Sequence, residues 1–143
     1  MMVYVVDASV AARFLLVEDL SDKAGLVLEG FIEGKFDLKA PKLVVYEVGN
    51  VLWKAVKQGL INLDEAKEKF SVFLGLKIDS IVLDENEHKE VLEWGTRNEV
   101  TYYDSAYVRA SIKTGATLIT ADNALYMRAR KEVLAIHLRD YQK

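Results

Sequence analysis

Val3-Tyr4-Val5-Val6-Asp7-Ala8-Ser9-Val10 begins with four apolar, β-prone residues and then breaks on a carboxylate. A run that is apolar at every position, rather than at every second one, belongs to a strand covered on both faces. That is the habit of a parallel sheet. A second run of the same design, Thr117-Leu118-Ile119-Thr120-Ala121, also stops on an aspartate, Asp122.

The remaining sequence alternates short β-rich runs with longer helical patterns. Strands are expected at residues 3–6, 36–40, 80–83, 117–120 and 134–138, and helices at 9–17, 21–34, 41–58, 62–76, 87–97, 104–114 and 123–131. Ser21 is read as an N-cap with Asp22 in the first turn, and Pro41 as the first residue of a helix that Gly59 stops. The helix at 62–76 is extra to a plain strand–helix–strand alternation, so the sheet need not follow simple sequential order. Strands separated by helices require crossovers and a sheet covered on both sides. The expected fold is a three-layer α/β/α sandwich around a mainly parallel sheet of four or five strands, in a single domain spanning 1–143.

Four acids then stand out: Asp7, Glu47, Asp104 and Asp122. Asp104 opens the segment Asp104-Ser105-Ala106-Tyr107-Val108, and Glu47 interrupts an otherwise apolar stretch at 43–52. Each has a purely structural explanation: Asp7 and Asp122 as N-caps, Asp104 as a partner of a helix dipole. Glu47 resists such an explanation. At about 100° per residue, Glu47, Asn50, Val51 and Lys54 share one helix edge beside the apolar stripe of Val44, Val48, Leu52 and Ala55. In open parallel sheets ligands bind beyond the carboxyl ends of the strands, where the order reverses. Asp7 and Asp122 end strands, whereas Glu47 and Asp104 lie near helix starts at the same edge, so all four can meet in one crevice.

A crevice of carboxylates, in a chain with no cysteine and only two histidines, is an oxygen-donor site that suits Mg²⁺ or Mn²⁺. The characteristic work of such a site is in-line displacement at phosphorus by activated water. Ser9 and Thr120 stand two residues from Asp7 and Asp122 and could orient a carboxylate, or could merely cap and favour a strand. Arg13 and Lys54 are candidates for a substrate phosphate, with solvated surface charge the alternative for Lys54. Tyr102, Tyr103 and Tyr107 could stack on bases of single-stranded RNA, or pack around a helix start. His88 reads as an exposed helix residue and His137 as a strand residue. Neither supports hydrolysis by a histidine acid–base pair.

The composition is that of an ordinary globular chain: 143 residues, 51% hydrophobic and 29% charged. The absence of cysteine excludes disulfides and thiolate zinc sites. No membrane span or secretory signal is read, since Asp7 interrupts the apolar N-terminus, and the expectation is a soluble cytoplasmic protein. Net charge is −3. Setting four of the 22 acidic residues aside as metal ligands leaves 18 against 19 basic ones, a near-neutral surface that neither favours nor forbids a polyanionic substrate.

Taken in order, the strings Val6-Asp7-Ala8-Ser9-Val10, Glu47-Val48-Gly49-Asn50-Val51-Leu52, Tyr103-Asp104-Ser105-Ala106-Tyr107 and Leu118-Ile119-Thr120-Ala121-Asp122 resemble the PIN domain over essentially the whole chain. They are most similar to those of the small VapC-type toxin ribonucleases of prokaryotic toxin–antitoxin pairs. The resemblance implies Mg²⁺- or Mn²⁺-dependent endoribonuclease activity, a homodimer and a VapB-type antitoxin partner. It also implies Asp7, Glu47, Asp104 and Asp122 as the acidic quartet, with Ser9 and Thr120 as accompanying hydroxyls.

Two other functions compete. A phosphatase of the haloacid dehalogenase type also starts with Asp after its first strand, but such enzymes resemble Asp-x-Asp there, and position 9 is Ser. A non-catalytic interaction module draws on the apolar early helices, where Phe14, Leu15, Leu16 and Val17 precede Leu26, Val27, Leu28 and Phe31. Core burial accounts for most of these, but they exceed one buried stripe, so some are expected at an interface.

Overall fold

The computed structural model describes residues 1–143. Five strands, β1 (Val3–Val6), β2 (Asp37–Pro41), β3 (Asp79–Ile81), β4 (Thr117–Thr120) and β5 (Ala135–His137), form one sheet in the order β3-β2-β1-β4-β5, parallel at every pairing. Seven helices cover it: α1 (Ala8–Ala12), α2 (Ser21–Ile32), α3 (Leu43–Lys57), α4 (Leu63–Gly75), α5 (Glu85–Asn98), α6 (Tyr102–Thr114) and α7 (Asn123–Ala129). This is the three-layer α/β/α sandwich expected from the sequence. The chain builds outward from β1 to β3, then returns to the other side of β1 for β4 and β5. The order therefore reverses between β1 and β4, whose ends carry Asp7 and Asp122.

Strand alternation divides the core in two. Val5, Ala40 and Leu118 point into the larger cluster, with Val44, Val48, Leu52, Val91 and Tyr107 from α3, α5 and α6. Val6, Leu38 and Ile119 point the other way, toward Ala24 and Val27 of α2 and Leu138 and Tyr141 at the C-terminus. Burying each such aliphatic side chain contributes about 1.5–3 kcal/mol, so both faces of the sheet are anchored. No helix is long and apolar enough to cross a membrane.

Several local expectations are corrected. Pro41 is the last residue of β2, not the first of α3: it pairs with Ile81 in the sheet register. Proline lacks an N–H and is tolerated at a strand end as readily as at a helix start, and here the strand takes it. Ser21 does not cap α2. Its hydroxyl accepts from the Glu18 N–H and donates to the Leu16 carbonyl, while Leu20 precedes the helix in a left-handed conformation at φ 65°. The helix expected at 9–17 is a single short turn, α1, which ends at Ala12 with Arg13 as its C-cap and passes into turns. Helices α3 and α4 lie within one crossover between β2 and β3, so the extra helix leaves β1, β2 and β3 adjacent. The early apolar run is mostly core, as expected: Leu15 and Val27 are buried, Phe14, Leu16, Leu26 and Phe31 pack against the clusters, and Val17 alone of those named is exposed. Gly59 and Gly115 end α3 and α6 as expected, at φ of 75° and 65°.

Candidate active site

Asp7 leaves β1 and caps α1. Its Oδ1 accepts from the Val10 N–H at 3.2 Å and from the Ser9 hydroxyl at 2.5 Å. Its Oδ2 accepts from the Thr120 hydroxyl at 2.5 Å. Ser9 Oγ in turn accepts from the Ala121 N–H at 2.8 Å, and Thr120 Oγ1 from the Asp122 N–H at 3.0 Å. Each oxygen of Asp7 thus ends a chain running from a backbone N–H through a hydroxyl. A hydroxyl that accepts one bond donates the next more strongly. These two chains tie the loop after β4 to the loop after β1 and fix the Asp7 carboxylate in place.

The other acids come from helix starts. Asp122 caps α7 through the Leu125 N–H at 2.9 Å, and Asp104 lies in the first turn of α6, where its N–H donates to Thr101 at 3.0 Å. Glu47 projects from α3, and its Oε1 accepts the Tyr107 hydroxyl at 2.6 Å. For Asp7 and Asp122 the N-cap explanation therefore holds, and the cap also fixes where each carboxylate stands.

All four acids line one cleft of about 280 Å³, together with Ser9, Arg13, Tyr107 and a fifth carboxylate, Glu18. Burial pushes the Asp7 carboxyl up to about 6, helped by repulsion from Asp104 and opposed by its hydrogen bonds from Ser9, Thr120 and Val10. Burial also pushes Asp104 up to about 6, reinforced by the negative charges of Asp122 and Glu47 and opposed by the Thr101 hydroxyl. Burial and the adjacent Glu47 carboxylate raise Tyr107, so its phenol stays protonated and donates. The acids feel one another across the cleft.

No three acidic or histidine side chains stand close enough for a closed ligand shell. The carboxylates line an open cleft instead. That arrangement suits a hard dication that retains most of its water and takes few protein oxygens, and the mutual repulsion is what such an ion relieves. An all-protein cage of the calcium kind does not fit.

The remaining expected residues distribute unevenly. Arg13 reaches the cleft, but its guanidinium is tied back to the Ser9 carbonyl at 2.7 Å and to the Asp19 carbonyl and carboxylate at 2.8 and 3.2 Å. Asn50 and Lys54 miss the acidic cleft and line the next one along α3. Tyr107 is buried in the core, which rules out base stacking and makes it the holder of Glu47. Its place was readable in hindsight, three residues beyond Asp104 on the same helix face. Glu18 had no sequence signal, since it comes from an irregular loop. Tyr102 stacks on His88, an exposed helix residue as expected, whereas Tyr103 stands exposed. His137 lies in β5 and is buried, and its Nδ1 accepts from the Arg139 N–H.

Comparison with known proteins agrees with this geometry. Ribonuclease VapC3 of Pyrobaculum aerophilum is 34% identical over 125 residues, covering 85% of this chain and 90% of its own. The crystal structure of PAE2754 from the same organism superposes with a TM-score of 0.68 at 24% identity, covering 96% of this chain and 92% of that one. FitAcB from Neisseria gonorrhoeae superposes at 0.64 and 12% identity, covering 96% and 99%. The PIN domain family pattern matches residues 4–131, from the first strand through the loop after α7, and with these findings the chain belongs to the PIN domain family.

Proposed function

We propose that this protein is a divalent-metal-dependent endoribonuclease. The observation that carries the reading is the convergence of Asp7, Glu47, Asp104 and Asp122 on one cleft at the reversal of strand order. Those four residues would hold Mg²⁺ or Mn²⁺. When bound, the ion supplies positive charge at the scissile phosphate and makes water a better nucleophile. The chain's own part is placement. Ser9 and Thr120 fix Asp7, Tyr107 fixes Glu47, and the α7 cap fixes Asp122. In-line attack of water would leave a 5′-phosphate and a 3′-hydroxyl. Arg13 contributes by bracing the loop around Ser9 more than by free contact with phosphate.

The relative named Ribonuclease VapC3 supports RNA as the substrate; a VapB-type antitoxin partner and the cytoplasm as the place of action are proposed with it. A homodimer is also proposed, and the outer surface of α3 and α4, not the early helices, bears its apolar signal. Trp53, Leu60 and Leu63 are exposed there, beside a cleft of about 200 Å³ that is apolar along most of its wall. A phosphatase reading is weakened by Asp7 itself: both of its oxygens are occupied as acceptors, which suits a fixed ligand better than a nucleophile.

The test is cleavage of structured and single-stranded RNAs with and without Mn²⁺, with analysis of product ends. Wild type should cut only with the ion, and Asp7→Asn or Asp104→Asn should lose activity while keeping the fold. Equal cutting by those variants, or by wild type in excess EDTA, would refute the reading.

A further inference from the structure

Helix α3 is amphipathic in an unusual way. Val44, Val48, Leu52 and Ala55 are buried. A second stripe, at positions 43, 46, 47, 50, 51 and 54, repeats at helical spacing; Leu43 packs against the larger core, but none of the six is fully buried. That stripe forms one wall of an open cleft of about 650 Å³, and Tyr103 at the start of α6 lies across it. The cleft shares Ala8, Glu47 and Val51 with the acidic cleft, so the two are continuous and Glu47 stands at their junction.

Two aromatic rings flank this space while exposed to water, Tyr46 at 73% and Tyr103 at 59%. Large rings left in solvent next to a charged site are poor core residues and good stacking platforms, because every base presents a π-face. Asn50 brings an amide that can donate to and accept from a base edge, and Lys54 a cation for the flanking phosphate. Arg13, in contrast, is tied to the chain on the other side of the acids. A volume of this size falls in the range that holds a small organic molecule, about 300–1,000 Å³.

We infer that this second cleft is a base-binding subsite, in which Tyr46 and Tyr103 stack an unpaired nucleobase next to the phosphate held at the acidic cleft. The inference deepens the nuclease reading and rests on it for the phosphate's position. Its consequence is that Tyr46 and Tyr103 select unpaired nucleotides, since a base kept inside a duplex cannot enter between them.

The experiment measures equilibrium binding of a fluorescein-labelled 16-nucleotide RNA of mixed sequence, as a single strand and as a duplex with its complement. Ca²⁺ is supplied as the dication. Tyr46→Ala and Tyr103→Ala should each raise the single-strand Kd about 5- to 100-fold. Tyr46→Phe and Tyr103→Phe should bind as wild type, and duplex binding should not change in any variant. Alanine variants that bind the single strand like wild type overturn the subsite, as does equal weakening of duplex binding or no wild-type binding at all. Cleavage is assayed separately. Tyrosine-dependent binding without any cutting in Mn²⁺ would sink the nuclease reading and leave the subsite standing. Normal cutting with tyrosine-independent binding would do the reverse.

Discussion

Thr120 Oγ1 lies 2.5 Å from Asp7 Oδ2, joining residues 113 apart in sequence across the β1–β4 pairing. The same hydroxyl accepts the Asp122 N–H, so one side chain connects two of the four cleft acids. Valine in its place keeps the shape and removes both bonds. Buried polar groups left without partners cost about 1–3 kcal/mol. Thr120→Val should therefore lower Tm by several degrees and slow RNA cleavage about 10- to 100-fold, the usual cost of disturbing the support of a site's ligands. Thr120→Ser should recover most of both. Unchanged cleavage by the valine variant would mean that Asp7 needs no such orientation.

The acids also set a pH dependence. In the folded chain Asp7 and Asp104 are raised to about 6 from an ordinary value of 3.8. Between those values the folded protein holds protons that the unfolded chain has released, so stability falls as pH rises through the window. Without divalent ions, Tm should be higher at pH 5 than at pH 7.5. Glu87 works in the opposite sense, because hydrogen bonds from Lys113 and the Asp84 N–H hold it low, but its effect belongs to more acidic solutions. Asp104→Asn removes one half-buried charge and should flatten the profile and raise Tm at pH 7.5. A Tm that climbs from pH 5 to 7.5 in EDTA would contradict this account.

The parts of the site that were legible in sequence were those in which one residue type breaks a regular pattern. Asp7 and Asp122 end continuous apolar strands, and Glu47 interrupts a buried helical stretch, so each stands out against its own neighbours. What was hidden depends on contacts between distant segments. Nothing local says that Tyr107 turns its hydroxyl to Glu47, sixty residues earlier, or that Arg13 is spent on Asp19. Pro41 and Ser21 were misplaced because proline fits either element's end and serine caps or bends with equal ease. Strand order was open for the same reason: sequence fixes each strand's faces, whereas the reversal beside β1 depends on how the crossovers pack.

Tyr107 provides a sharper test of positioning. Its ring is core and its hydroxyl is the fixed donor to Glu47 Oε1. Tyr107→Phe keeps the packing and frees the carboxylate to rotate. Cleavage should fall about tenfold with little change in Tm. Because the phenol is raised well above its ordinary value, its ionisation should leave no alkaline limb in the wild-type pH–rate profile. A phenylalanine variant as active as wild type would show that Glu47 is held by other means.

Relief of repulsion in the cleft predicts a thermal signature for dication binding that does not depend on catalysis. An ion that binds the folded chain alone stabilises it by about 2.7 kcal/mol at a hundred times its Kd. For a domain of this size that corresponds to a Tm increase of roughly 5–10 °C. Mn²⁺ should produce this shift at pH 7.5, with a smaller one at pH 5, where Asp7 and Asp104 are largely protonated. Asp7→Asn and Asp104→Asn should each shrink it, and a Lys67→Gln control, in the cleft between α3 and α4 and not in the acidic one, should not. If Mn²⁺ left the wild-type Tm unmoved, or raised that of the Asn variants equally, the ion would not reside among these carboxylates.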